Sequence, residues 1–312
     1  MVRNEFTFPS ADGKTQIHAV EWLPDGDVRG VLQISHGVSE YILRYERFAE
    51  YLTEQGFAVV GHDHLGHGSS MSPDGKPMYF GPKGSWNWVV QDIESRRCLA
   101  KERFPNLPYF MLGHSMGSFL LRTYLIQHPG NLDGAIVMGT GQMAPALIAG
   151  GKTVAAVESL RVGESNGSSL VQALAFGTYN KLFAPNRTGF DWLSVNPVNV
   201  DNYIADPLCG GNPSVGLFRE MLGGMSFIAK SDELKKMDMT TPILFISGAM
   251  DPVGDCGKGV RFAYNSFLRA GAKDVSLKLY PELRHEILCE IDRDTVFQDI
   301  HQWLTAKLPV KS

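Results

Sequence analysis

One short segment constrains the fold of this chain more than any other. Residues 113–117 read Gly-His-Ser-Met-Gly, between the apolar run 109–112 and the helix-forming stretch 118–125. A serine framed by glycines in this way is typical of a nucleophile elbow, a sharp turn from a buried strand into a helix where larger flanking side chains would collide. The turn strains the backbone of the serine and lifts its hydroxyl above the sheet. Ser115 is therefore a candidate nucleophile.

A second Gly-x-Ser-x-Gly, at residues 163–167, lacks this context. No buried strand precedes it, and it is followed by further serines in a polar stretch. With Glu164 and Asn166 free to be solvated, the segment is predicted to be a flexible loop, and Ser165 is not expected to act in catalysis.

An alcohol nucleophile needs a base, and the base needs an acid that orients it. Asp251 follows the predicted strand 241–248, and His285 follows the predicted strand 275–280. The carboxyl ends of parallel strands share one edge of a sheet, so both residues should converge on Ser115. His285 would take and return the proton while Asp251 holds its tautomer. Asp255, expected on the next helix, is the alternative acid.

Acyl transfer also needs two donors for the developing oxyanion. One should be the backbone N–H of Met116, which follows the nucleophile. The other should lie after an earlier strand, and strand 31–35 is followed by His36, Gly37 and Val38. The N–H of Val38 is the candidate. Without Ser115, the same segment would be interpreted as a simple strand-ending turn.

The remaining pattern predicts an α/β fold. An opening hairpin is followed by alternating short apolar strands and helices, which is typical of a mostly parallel central sheet with helices on both faces. The predicted hairpin strands are 5–8 and 17–22, further strands are 57–60 and 134–138, and the helices are 45–55, 86–103, 115–127, 258–270 and 295–306.

The alternation stops between residues 143 and 235. A structureless loop of that length is improbable in a compact domain, so we predict a mainly helical cap insertion above Ser115, with residues 1–142 and 236–312 forming the core. Helices are expected at 146–149, 170–176 and 221–228. We hypothesise that Gly223-Gly224 serves as a hinge of this cap.

The predicted cap also carries irregularly spaced apolar side chains. Two interpretations stay open: an acyl-chain pocket, which is normally lined by apolar groups, or the packing core of the insertion itself. The residues are Phe183, Phe190, Trp192, Leu193 and Tyr203.

Residues 61–67 contain three histidines and an aspartate, His62, Asp63, His64 and His67. Glycines interrupt the segment and its spacing fits no common zinc motif, so a structural role after strand 57–60 is favoured over a metal site.

The four cysteines, Cys98, Cys209, Cys256 and Cys289, have no C-x-x-C spacing and are expected to be free thiols.

Composition excludes several classes. The chain has 312 residues, 44% of them hydrophobic, which suffices for a large core. Its formal charge of −4, from 29 basic and 33 acidic residues, offers no attraction to nucleic acid. The amino terminus lacks an apolar segment and no apolar run is long enough to span a bilayer, so a soluble, cytoplasmic protein is expected.

Together these segments resemble the monoacylglycerol lipase and lysophospholipase group, a serine-aminopeptidase-like group of the α/β-hydrolase fold. The resemblance rests on residues 36–40, 61–69, 113–117 and 285–288 and follows the motif order of the whole chain. It implies a serine hydrolase of single-chain lipid esters with a mobile cap. We expect no metal and no cofactor. Contact of the cap with a lipid surface is consistent with such a substrate.

Substrate-binding residues are predicted near the nucleophile and in the cap. Substrate contacts are expected from His36, Gly37, His114, Phe183 and Trp192. Related lipases usually carry alanine at the position of Val38, so the branched side chain could narrow an acyl pocket.

Other functions remain open on the same residues. A short-chain carboxylesterase, an amidase or a thioesterase would use the same triad, and a ligand-binding module could keep the fold without turnover. Relatives that cleave halides or epoxides use aspartate at the elbow, so Ser115 argues against them.

Overall fold

The computed structural model describes residues 1–71 and 74–309 and contains one eight-stranded sheet in the order β1-β2-β4-β3-β5-β6-β7-β8. The β1/β2 and β2/β4 pairs are antiparallel, and every other neighbouring pair is parallel. The strands are β1 Val2–Pro9, β2 Gln16–Leu23, β3 Gly30–Ser35, β4 Phe57–His62, β5 Tyr109–His114, β6 Gly134–Met138, β7 Ile243–Gly248 and β8 Val275–Tyr280.

Helices cover both faces of the sheet because successive strand residues point to opposite sides. On β3, Val31 packs with the helices of one face, and Leu32 packs with those of the other. The helices are α1 Glu46–Glu54, α2 Trp86–Arg103, α3 Met116–Gln127, α4 Pro145–Val162, α5 Ser169–Phe176, α6 Pro197–Ala205, α7 Val215–Ile228, α8 Ser231–Leu234, α9 Lys258–Ala270 and α10 Arg293–Ala306. The predicted mostly parallel sheet is confirmed.

Predicted bounds agree closely with the structure where the apolar pattern is strong. Helices α2 and α9 and strand β8 have the predicted limits. The first helix begins later than predicted, because a 3-10 turn at Ile42–Tyr45 precedes it. The last helix begins earlier, at Arg293.

Residues 143–235 lie between β6 and β7 and are mainly helical. The helices predicted at 146–149, 170–176 and 221–228 lie within α4, α5 and α7. Helix α6 was not predicted, although its start carries a recognisable signal: the Asn196 side chain accepts a hydrogen bond from Val198 N–H, and Pro197 takes the first helical position. The division into core and cap stays a prediction.

The hinge hypothesis at Gly223-Gly224 does not fit the helix in which both residues lie, nor the close packing of Gly224. Both lie inside the continuous helix α7, and a Cβ on Gly224 would lie 2.4 Å from the Trp86 ring. Gly224 is therefore a close-packing position, which lets α7 approach α2.

The second Gly-x-Ser-x-Gly is a loop between α4 and α5, as predicted, and Glu164 and Asn166 remain accessible to solvent while their backbone is anchored. Glu164 forms an ion pair with Arg219, and its carbonyl accepts a hydrogen bond from Gly216. The carbonyl of Asn166 accepts another from Val215. These bonds hold the loop against the start of α7.

No helix of the described residues is long and apolar enough to cross a membrane.

Candidate active site

Ser115 lies on the turn between β5 and α3, with φ 53° and ψ −121°. Its N–H donates to Met138 O on the neighbouring strand at 3.0 Å, which fixes the turn. A Cβ on Gly113 would lie 2.3 Å from Gly117 O, and a Cβ on Gly117 would lie 2.0 Å from Ser35 O. Only glycine fits at either position, as the sequence predicted.

Asp251 and His285 lie together at the carboxyl edge of the sheet. Asp251 Oδ2 is 2.9 Å from His285 Nδ1, and both side chains are buried. The carboxylate also accepts hydrogen bonds from Val253 N–H at 2.9 Å and from Ser247 Oγ at 3.2 Å. These bonds fix the carboxylate and leave Nε2 of the ring as the atom available to a nucleophile.

Asp255 is not placed to orient His285. Its side chain is 73% exposed, and it lies before α9 rather than on it. Among the described residues, Ser115 Oγ makes no hydrogen bond to His285, a contact that in hydrolases often tightens only when substrate binds.

The segment after β3 places two backbone groups against the elbow. A Cβ on Gly37 would lie 3.1 Å from Ser115 Cβ, so Gly37 packs directly on the serine. Met116 is the first residue of α3, where N–H groups have no partner within the helix. In the described part of the chain Val38 N–H also makes no hydrogen bond to another backbone group. Both N–H groups are therefore available to an oxyanion.

His36 controls the peptide that carries the Val38 N–H. His36 Nε2 accepts a hydrogen bond from His64 N–H at 2.9 Å, so the proton of the neutral ring is on Nδ1. That Nδ1–H donates to Gly37 O at 2.7 Å. In a trans peptide the carbonyl and the following N–H point in opposite directions, so the Val38 N–H points away from the His36 ring.

Sequence reasoning missed a buried polar network centred on Glu40. One carboxylate oxygen, Oε1, accepts from Gly37 N–H at 2.6 Å and from Tyr45 OH at 3.0 Å, and lies 3.0 Å from His114 Nδ1. Burial alone would lower the pKa of His114, but the hydrogen bond and charge of Glu40 raise it above its ordinary value. The loop after β3 and the elbow are thus joined through the contact between Glu40 and His114.

Arg44 extends this network to the histidine loop. Its guanidinium binds Glu286 through two hydrogen bonds, of 2.6 and 2.9 Å, and Glu40 at 3.0 Å. Asn199 on α6 donates to Glu286 at 2.6 Å. These groups border a cavity of about 430 Å³. Nothing local in the sequence links positions 44 and 286, so only the fold reveals the pair.

Residues between β6 and β7 contact His285 and its neighbour directly. The ring of Trp192 lies 5.2 Å from the ring of His285, and the Leu193 carbonyl accepts a hydrogen bond from Glu286 N–H at 2.8 Å. The guanidinium carbon of Arg284 lies 3.9 Å from the centre of the Phe183 ring. Of the predicted substrate contacts, Trp192 is therefore beside the site, whereas Phe183 lies against the preceding arginine.

The histidines of residues 61–67 form a buried cluster with His36. The His36 and His64 rings lie 4.2 Å apart, and those of His62 and His64 lie 5.0 Å apart. Within the described residues no group of His, Cys, Asp and Glu side chains is arranged to hold a metal ion. The four cysteines are free thiols. A structural role for residues 61–67 stays a prediction.

A family model described as serine aminopeptidase, S33, matches residues 26–292. The chain belongs to this family. The monoacylglycerol lipase of Mycolicibacterium smegmatis is 29% identical over 314 residues, 98% of each chain. The monoglyceride lipase of Homo sapiens is 28% identical over 301 residues, 96% of this chain and 89% of that one.

The fold of this S33-family chain matches solved structures along its whole length. A thermostable carboxyl esterase from Bacillus coagulans, crystallised with glycerol, superposes with a TM-score of 0.91 at 30% identity, covering 99% of this chain and 100% of the esterase. The predicted α/β-hydrolase fold is confirmed.

Proposed function

We propose that this serine ester hydrolase cleaves monoacylglycerols or similar single-chain lipid esters, with Ser115, His285 and Asp251 as its catalytic triad. The observation that carries the proposal is the buried Asp251–His285 pair, joined at 2.9 Å, on the sheet edge where the strained elbow presents Ser115. No metal or cofactor is needed, because these side chains supply both the nucleophile and the proton transfers.

In the proposed reaction, Ser115 Oγ attacks the acyl carbon as His285 Nε2 removes its proton. The resulting imidazolium is stabilised by Asp251, and it returns the proton to the alkoxide that leaves with the alcohol. Water, activated by the same histidine, then hydrolyses the acyl-serine. The N–H groups of Val38 and Met116 would bind the oxyanion in both steps, and the positive end of α3 adds to its stabilisation.

A lipid-type substrate is supported by the surface of the predicted cap. Large apolar side chains are unusually exposed along residues 143–235, and Leu160, for example, is 91% exposed. Apolar groups in contact with water are stabilised when they meet a lipid surface, so the cap would bring the site to substrate held in micelles or membranes. Within residues 143–235, the most exposed large apolar side chains are Leu147, Val157, Leu160, Leu174, Leu182 and Val198.

Substrate class is tested by comparing hydrolysis of 1-monooleoylglycerol, lysophosphatidylcholine, dioleoylglycerol and p-nitrophenyl esters from acetate to palmitate. The proposal expects the highest kcat/KM on monooleoylglycerol and a chain-length optimum at long acyl groups. An optimum at acetate or butyrate would instead favour the short-chain carboxylesterase, and hydrolysis of an acyl amide or thioester alone would contradict ester specificity. The Leu160→Ser variant should lose activity on micellar substrate while keeping it on p-nitrophenyl acetate.

A further inference from the structure

Ser39, the residue after the proposed oxyanion donor, has an unusual backbone conformation. Its φ of 57° lies in the left-handed region, which is unfavourable for a residue with a Cβ. Such a conformation persists only when surrounding contacts hold it. The contacts on Ser39 therefore bear on the position of the adjacent Val38.

Those contacts come largely from the insertion. Ser39 O accepts a hydrogen bond from Gly210 N–H at 3.1 Å and another from Tyr203 OH at 3.2 Å. Ser39 Oγ donates to Gly211 O at 2.9 Å and lies 3.0 Å from Met78 Sδ. Gly210 itself has a φ of 70°, so the insertion turns back toward the loop at a position that favours glycine.

We propose that Tyr203 and the Gly210-Gly211 turn are positioning elements that hold the oxyanion loop in its catalytic geometry. The inference rests on the proposed role of Val38. Gly37, the residue before Val38, is fixed by residues of the predicted core, through His36 to Gly37 O and through Glu40 to Gly37 N–H. The residue after Val38 is fixed by residues 203–211, so one of the two restraints on the donor belongs to the insertion.

The consequence is a link between the insertion and catalysis that does not require contact with substrate. If residues 203–211 shift, Ser39 loses three hydrogen bonds and can relax from the left-handed region, which turns the Val38 N–H. A donor displaced by about 1 Å can cost two orders of magnitude in rate. Loss of a single hydrogen bond to Ser39 should have a smaller effect on the oxyanion and none on ground-state binding.

The test compares Tyr203→Phe, Ser39→Ala and Ser39→Gly, with p-nitrophenyl butyrate as substrate and phenylboronic acid as a tetrahedral transition-state analogue. Tyr203→Phe keeps the ring on Arg44 and removes only the hydroxyl. We expect its kcat to fall about three- to tenfold with KM unchanged, and the Ki of the boronic acid to rise by the same factor. Ser39→Ala should lose more activity than Ser39→Gly, because glycine accepts the positive φ without strain.

Tyr41→Phe is the matched control. Tyr41 also joins the core to the insertion, through a 2.7 Å hydrogen bond to Asp206, but not through Ser39. Its kcat and boronic acid affinity should remain at the wild-type values. The inference is overturned if Tyr203→Phe and Ser39→Ala both keep wild-type kcat, or if Tyr41→Phe loses as much activity. The proposed function fails separately, if Ser115→Ala keeps hydrolysing the ester.

Discussion

His62 lies at the end of β4 with its imidazole fully enclosed, and its replacement by phenylalanine should make the protein less sensitive to acid. Neither ring nitrogen has a hydrogen-bond partner among the described residues. Burial, together with the neighbouring His36, lowers the pKa of His62 to about 3. Burial also lowers the pKa of His67 to about 3. The cluster is therefore neutral in the folded protein at any pH near neutrality.

The magnitude follows from proton linkage. In the unfolded chain the same imidazoles titrate near the ordinary pKa of about 6.5. A histidine with a depressed folded pKa contributes stability above pH 6.5, and this stability is lost as the pH falls from there toward 3. Between pH 7 and pH 5 each such histidine removes about 2 kcal/mol from the free energy of unfolding. Between pH 7 and pH 5, the free energy of unfolding of the His62→Phe variant should fall by about 2 kcal/mol less than that of wild type.

The assay is urea unfolding at pH 7 and pH 5, with the free energy of unfolding extrapolated to water. Phenylalanine keeps the edge contact with Phe8, whose ring lies 5.7 Å from that of His62, and the cost of its larger ring is the same at both pH values and cancels from the comparison. His301→Phe is the control: burial lowers the pKa of this less enclosed ring too, so the variant should show a smaller change. If His62→Phe and wild type lose equal stability on acidification, the linkage argument is refuted.

Two further predictions concern the elbow and the acid of the triad. Gly117→Ala should prevent formation of the native elbow, since its Cβ would meet Ser35 O at 2.0 Å, whereas Gly223→Ala, with open space around it, should raise the free energy of unfolding by about 0.5–1 kcal/mol. Circular dichroism and urea unfolding of both variants check this, and a fully active, stable Gly117→Ala enzyme would contradict it. Asp251→Asn should lower kcat by about four orders of magnitude, whereas Asp255→Asn should leave it unchanged. Steady-state kinetics on p-nitrophenyl butyrate decide between the two carboxylates, and the reverse result would assign the role to Asp255.

The sequence predicted the parts of the site that depend on local pattern. A serine between glycines after an apolar run, and an acid and a histidine after later apolar runs, are visible because parallel strands end at one edge. The same reasoning located β3, β5 and β7 and therefore the loops that carry Val38, Ser115 and Asp251.

It could not predict the connections between those loops. The Glu40–His114 contact and the Arg44–Glu286 pair join residues far apart in sequence, and no periodicity marks them. The insertion was also harder to interpret, because its 3-10 turns at Tyr179–Phe183 and Asp191–Leu193 have no repeating apolar spacing. Whether an aromatic such as Trp192 faces the site or its own core depends on packing, which the sequence alone does not contain.

The central claim is that Ser115 is the residue that becomes acylated. Reaction of the wild-type protein with a fluorophosphonate, followed by mass spectrometry of its peptides, tests this most directly, because attack by the activated serine displaces fluoride and leaves a stable adduct. The account predicts one phosphonyl group per chain, on Ser115, with concurrent loss of esterase activity and no labelling of the folded Ser115→Ala variant. Labelling at another serine, or esterase activity that survives in Ser115→Ala, would contradict it.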